Sequence, residues 1–199
     1  MNTTVTAPAL ALLEFNSIAA GIAAGDAMVK RAPVERIRAG TIQPGHFLVL
    51  VTGEVADVSE AVDAGLLVGQ GALLDRLFLP QVHPGVVEAL NGKSEMVVNE
   101  ALGIIETATV AAAINAADAG LKGADVHLIR LRLGDGLGGK GLALFTGMVS
   151  DVTTAVEIGG AVVAGPIVQQ KVIARLHGEM WPNVIGDGRF GDHFAWPPA

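Results

Sequence analysis

The sequence predicts an α/β protein made of two tandem sandwich domains, and three observations carry that prediction. The chain nearly repeats itself, and each copy alternates strand-like with helix-like stretches. Its length of 199 residues suits two domains of about 90 to 100 residues each. Ala9-Leu10-Ala11-Leu12-Leu13-Glu14 returns as Ala101-Leu102-Gly103-Ile104-Ile105-Glu106, 92 positions on. Asp26-Ala27-Met28-Val29-Lys30 returns as Asp118-Ala119-Gly120-Leu121-Lys122 at the same spacing. Thr52-Gly53 and Asp57-Val58 return as Thr146-Gly147 and Asp151-Val152, 94 positions on. The second copy therefore gains two residues between these blocks. The first domain is placed at residues 8–91 and the second at 100–178, leaving 179–199 as a C-terminal tail. Turn formers cluster at the junction, Asn91-Gly92-Lys93-Ser94.

The elements follow in the same order in each copy. Residues 10–15 and 102–107 are apolar and strand-like. A helix follows, with Ser17 or Thr109 as N-cap and apolar residues at three- and four-residue spacing. Residues 35–39 and 127–133 are strand-like again. A glycine-containing loop leads into an apolar strand at 47–51 and 142–145, closed by Thr-Gly. A second helix then starts, where Asp57 and Glu60 have the spacing of a capping box, and Gly65 and Gly159 are expected at its C-terminus. A strand at 73–79 and a short helix at 84–90 finish the first copy. The order β-α-β-loop-β-α-β implies a ferredoxin-like α/β sandwich with both helices on one sheet face.

Composition excludes several classes of function. Apolar residues make up 51% of the chain and the mean hydropathy is +0.50, which fits either a membrane protein or a subunit that hides surface in an assembly. The longest apolar stretch, 159–168, falls short of the roughly 18 residues a span requires. The N-terminus has no basic region of a secretory signal, so no membrane partner is expected. A net charge of −7, no Tyr and only 4% aromatic residues argue against nucleic acid as a partner. The absence of cysteine excludes disulfides, thiolate nucleophiles and cysteine-held metal centres.

The repeated Ala-Leu-Gly-Ile-Ile-Glu-Thr strand (Ala101 to Thr107), the helix ending Ala-Ala-Asp-Ala-Gly-Leu-Lys (Ala116 to Lys122), the glycine loop and the Thr-Gly closure resemble the bacterial microcompartment shell domain. Two such domains in one chain resemble the unpermuted tandem class. The resemblance implies a cytoplasmic shell protein that forms a homotrimer, with six domains imitating a hexamer, and tiles beside other shell proteins. It implies a central pore for small polar metabolites, lined by Gln43, Pro44 and Gly45 and by Leu137, Gly138 and Gly139. It places Lys30 and Lys122 at the tile edge. It implies no catalytic residues, no cofactor and no metal, and the iron–sulfur cluster of some tandem members has no cysteine to hold it. Family members often carry Pro-Arg-Pro-His after the fourth strand. The corresponding stretches are expected at Pro80-Gln81-Val82-His83-Pro84 and Gln169-Gln170-Lys171, without the arginine.

Other motifs have plainer readings. Gly134 to Gly139 fits the spacing of a dinucleotide loop, and Gly134 to Lys140 that of a phosphate loop. The following residues read as a strand, so no helix N-terminus faces a phosphate. The histidines His46, His83, His127, His177 and His193 lack metal-ligand spacing. Glu14 and Glu106 are equivalent, which favours a structural role accepting backbone hydrogen bonds. His46 and Lys140 are also equivalent, and the strand's phase across the glycine loop leaves open whether they face a pore. Two rival functions remain: a trimeric small-ligand-binding regulatory protein of similar α/β fold, and an enzyme using Lys140.

Overall fold

The structure is a computed structural model that describes residues 8–93, 100–165 and 167–186. The first domain contains β1 (Ala9–Phe15), α1 (Ile18–Arg31), β2 (Arg36–Ile42), β3 (His46–Gly53), α2 (Val55–Gly69), β4 (Leu73–Leu79) and α3 (Pro84–Leu90). The second contains β5 (Ala101–Thr107), α4 (Val110–Gly123), β6 (His127–Leu133), β7 (Gly141–Gly147), α5 (Val149–Ala161), β8 (Ile167–Ala174) and α6 (Trp181–Ile185). Both sheets have four antiparallel strands, in the orders β2-β3-β1-β4 and β6-β7-β5-β8. Two α/β sandwiches of one topology thus follow each other along the chain.

Strand β1 is buried at every position, which explains why it reads as a continuous apolar run instead of an alternating one. Ala11, Leu13 and Phe15 pack with Ala24 and Met28 of α1 and with Val58, Ala61 and Val62 of α2. Leu10 and Leu12 belong to a separate apolar cluster with Leu77 and Leu79 of β4. Through Val110 and Ile114 of α4 that cluster continues into the core of the second domain, with Ile105, Phe145 and Val156. The second domain's sheet has its own cover, where Trp181 packs with Leu102, Ile129 and Leu144. The expected tail therefore contributes a short helix to this face, and residues 187–199, with Trp196 and His193, lie outside the described residues, as does Ser94 of the junction.

The caps of the first helices hold as read. Ser17 accepts from the Ala20 N–H and Thr109 from the Ala112 N–H. Three helix-end readings are corrected. Helix α2 starts at Val55, so Asp57 and Glu60 lie inside it, and its N-cap position, Glu54, makes no side-chain cap bond. Asp57 instead sits in the first turn, where the helix dipole favours a negative charge. Gly65 and Gly159 are interior, buried helix residues and not C-terminal ones. They are small because the helices touch. A Cβ at Gly65 would lie 2.7 Å from Met28 Cγ, and one at Gly159 would lie 2.7 Å from the Ala116 carbonyl oxygen.

Alanine at Gly159 would improve helix propensity by about 1 kcal/mol, while overpacking of this kind costs about 1–3 kcal/mol. The obstructing atom is backbone of α4, so relief requires the two helices to separate. Gly159→Ala is therefore expected to lower stability by about 1 kcal/mol, the middle of the range left when the gain is set against the cost, read from the midpoint of urea unfolding. An unchanged or raised midpoint would show that the α4–α5 contact is looser than described.

Candidate functional site: paired hairpins and the domain seam

The loop residues singled out from the sequence cap two neighbouring hairpins. The β2–β3 hairpin turns through Gln43, Pro44 and Gly45, between the paired residues Ile42 and His46. The β6–β7 hairpin turns through residues 135–139, which include Leu137, Gly138 and Gly139, and the Gly134 N–H donates to the Lys140 carbonyl across its base at 3.0 Å. The two extra residues of the second repeat thus lie in its hairpin tip. Four glycines of that tip, Gly134, Gly136, Gly138 and Gly139, adopt positive φ, a conformation that side chains with a Cβ rarely take. The two tips meet. A Cβ on Gly139 would sit 3.2 Å from Pro44 Cδ and 3.3 Å from the Gln43 carbonyl oxygen. One on Gly134 would collide with Ile42 Cδ1 at 2.4 Å. Because a strand follows the glycine loop, it offers no helix N-terminus to a phosphate.

His46 and Lys140 both turn back onto the strand glutamates. His46 Nδ1 lies 3.1 Å from Glu14 Oε1, and Lys140 Nζ donates to Glu106 Oε1 at 2.7 Å. The same acid–base pair therefore recurs in both repeats. Glu14 is fully buried, and its other oxygen accepts from the Val110 N–H at 2.9 Å and the Ala111 N–H at 3.5 Å. These are the first amides of α4, so a carboxylate of one domain occupies the positive end of a helix in the other. Burial pushes the Glu14 carboxyl above its ordinary range, and the hydrogen bonds from His46, Val110 and Ala111 oppose that rise without cancelling it.

Further polar contacts continue the seam between the domains. Thr109 donates to the Asp75 carboxylate. Asp118 accepts from the His83 N–H at 2.7 Å and from Lys122 Nζ at 2.5 Å, and Lys122 also donates to the Gln81 carbonyl at 2.5 Å. Lys122 is thus tied to the seam while its side chain stays 44% exposed. Lys30, its counterpart, makes the matching bond to Asp26 at 2.6 Å on an open surface. Sequence reading missed Asp75 as the partner of Thr109, and Gln81, His83 and Asp118 as a set joined with Lys122. The available signal was α1 itself, which carries Ile18, Ile22 and Val29 in addition to its core stripe of Gly21, Ala24, Gly25 and Met28.

One sequence assignment is overturned by the strand register. Gln169, Gln170 and Lys171 lie within β8, paired with Glu106, Ile105 and Ile104. Leu79 pairs with Leu10 and Ile173 with Leu102, so the counterpart of Pro80–His83 is Ala174–His177. The second domain therefore does carry an arginine after its fourth strand, Arg175. The histidines agree with this alignment, since His83 accepts from the Gly85 N–H and His177 from the Glu179 N–H.

Two like sandwiches joined by a polar seam, with their hairpins side by side, define a tandem-repeat building block. The chain belongs to the BMC domain family, which matches it twice, at residues 9–82 and 101–176. It is 40% identical to the bacterial microcompartment shell protein PduT of Citrobacter freundii, over 89% of this chain and 97% of that protein. It is 32% identical to the carboxysome assembly protein CcmO of Synechocystis, over 76% of this chain but 55% of that protein. A crystal structure of a microcompartment protein from Desulfitobacterium hafniense superposes with a TM-score of 0.76 at 39% identity, covering 87% of this chain and 98% of that one. A fused permuted hexameric shell protein, MSM0275, shares the fold at a TM-score of 0.58 and 21% identity, covering 79% of this chain and 81% of that one. The chain is a structural protein of a bacterial microcompartment shell. The regulatory-protein and enzyme readings find no support among these relatives. Among the described residues, no helix is long and apolar enough to cross a membrane.

The raised Glu14 carboxyl sets a pH dependence. The unfolded chain releases this proton near the ordinary glutamate value of about 4.3, whereas the folded chain holds it to higher pH. Folding stability contributed by Glu14 is therefore full at low pH and falls as pH rises through that window. Thermal melts from pH 4 to 7 should show the wild type losing stability relative to Glu14→Gln as pH increases. The opposite trend would mean that His46 and the helix amides outweigh burial.

Proposed function

We propose that three copies of this chain form a pseudohexameric tile whose central pore passes small polar metabolites while the tile itself closes the shell. The observation that carries the reading is the meeting of the two hairpin tips, one from each domain, in a single chain. In a ring of three chains, Gln43, Pro44 and Gly45 would alternate with Leu137, Gly138 and Gly139 around the axis. Backbone N–H groups, the Gln43 amide and the diameter of the aperture would set selectivity. The His46 ring and the Lys140 ammonium are engaged by Glu14 and Glu106, so neither side chain is free to face the aperture. Tile-to-tile contact would fall to Lys30 and Lys122, assisted by Arg175 at the edge of the second domain only. The domain division at 8–91 and 100–178 accompanies this reading, with α6 attached to the second domain's sheet.

Two measurements test the proposal. Native mass of the purified chain should be three times 20.3 kDa, with a central hole in negative-stain images. In assembled shells, replacing Gln43 and Leu137 together by Trp should slow exchange of a small polar reporter severalfold without changing the trimer mass. Unchanged exchange would remove these hairpins from the permeation path, and a monomeric wild type would remove the tile.

A further inference from the structure

The two sheets differ in how their outer faces, away from the paired helices, are covered. On the second sheet, Trp181 of α6 packs on Leu102, Ile129 and Leu144, with Val184 and Ile185 beside it. The end of α6 is held by Arg130 of β6, whose Nη1 donates to the Ile185 carbonyl at 2.7 Å. On the first sheet the repeat puts Val87 of α3 where Trp181 stands, a much smaller cover. Leu50 accordingly stays partly exposed, whereas its counterpart Leu144 is buried. Arg38 pairs with Leu50 as Arg130 pairs with Leu144, but it holds no helix end. Among the described residues neither Arg38 nor Arg36 has a hydrogen-bond or ion-pair partner. What remains is an open groove of about 1660 Å³ over Leu48 and Leu50, bounded by β2, by α3 and by Leu131 of β6.

We propose that residues 187–199 of the same chain lie in this groove and complete the cover of the first sheet. These thirteen residues hold three of the chain's eight Phe and Trp residues, Phe190, Phe194 and Trp196. Side chains of that size gain most from leaving water. The groove exceeds the roughly 300–1,000 Å³ of a small-molecule site, which favours a chain segment as its occupant. The segment also starts beside it. Ile185 is bonded to Arg130, and the next residue of β6, Leu131, is groove wall. Thirteen extended residues reach about 43 Å, and strands lie about 4.8 Å apart, so the segment spans the whole sheet. Its aromatic rings fill the space over Leu48 and Leu50 that Val87 leaves open. Asp187 and Asp192 supply the negative charge that Arg36 and Arg38 lack. Arg189, between those aspartates, suits Glu54 and Asp135 on the groove's rim. The contact is made within one chain, so it stands or falls independently of the trimeric ring.

Photo-crosslinking of the full chain tests this. The photoreactive residue p-benzoyl-phenylalanine in place of Phe194 keeps an aromatic group at that position. After illumination, denaturing electrophoresis separates crosslinks within one chain, which keep the mass of 20.3 kDa, from crosslinks between chains, which double it. The expected product has single-chain mass, and its digest joins position 194 to peptides of β2 and β3, residues 36–53. Arg38→Glu, at an exposed position, should cut the yield of that product severalfold. Leu67→Glu, 84% exposed on α2 at the other face of the sheet, should leave it unchanged. A double-mass product, a crosslink to other elements, no protein crosslink, or an undiminished yield in Arg38→Glu overturns the proposal.

Discussion

Strand β1 has no free face, and its single buried acid, Glu14, must be satisfied by groups on two different domains. An unpartnered carboxylate in such a place costs several kcal/mol. Here one oxygen meets His46 from the adjacent strand, and the other meets two amides at the start of α4. The position is therefore stable only when the second domain is docked with α4 aimed at it. Apolar contact alone, through Leu10, Leu12, Val110 and Ile114, would tolerate sliding; a helix end seated on a carboxylate fixes the docking angle. The hairpin tips meet because this angle is fixed.

The repeat made much of this arrangement legible before any coordinates. The strand segments, the Ser17 and Thr109 caps and both hairpins could be placed from residue types and spacing. Failures arose where one residue type serves two purposes. Gly65 and Gly159 looked like helix stops because glycine tolerates left-handed backbone, but they are absences of Cβ where helices cross. Asp57 looked like a cap because spacing alone cannot say whether a carboxylate precedes the first turn or lies in it. Arg175, after the last strand, was missed because the polar Gln169-Gln170-Lys171 stretch resembles a strand end, whereas cross-strand pairing shows that it lies within the strand.

The seam was harder to see, for a physical reason. Its partners come from positions 34 to 41 or 96 to 97 residues apart in the chain, and they combine side chains with backbone amides and carbonyls, which have no letter in the sequence. Asp118 and Gln81 acquire a shared role only after folding. The apolar residues on α1 were the one sequence-level trace, because a helix that packs on a single sheet has no use for Ile18 and Ile22 on its far side.

The unequal hairpins have a consequence for how such a rim can change over generations. When one gene encodes six identical domains, every altered rim residue appears six times, so small adjustments are unavailable. In the proposed ring of three duplicated chains each alteration would appear three times, and the two tips are free to drift apart. Here that drift has already produced a short turn carrying Gln and Pro and a longer one made mainly of glycine. The opening of such a ring would have a triangular outline instead of a hexagonal one, and its corners and sides can be mutated separately.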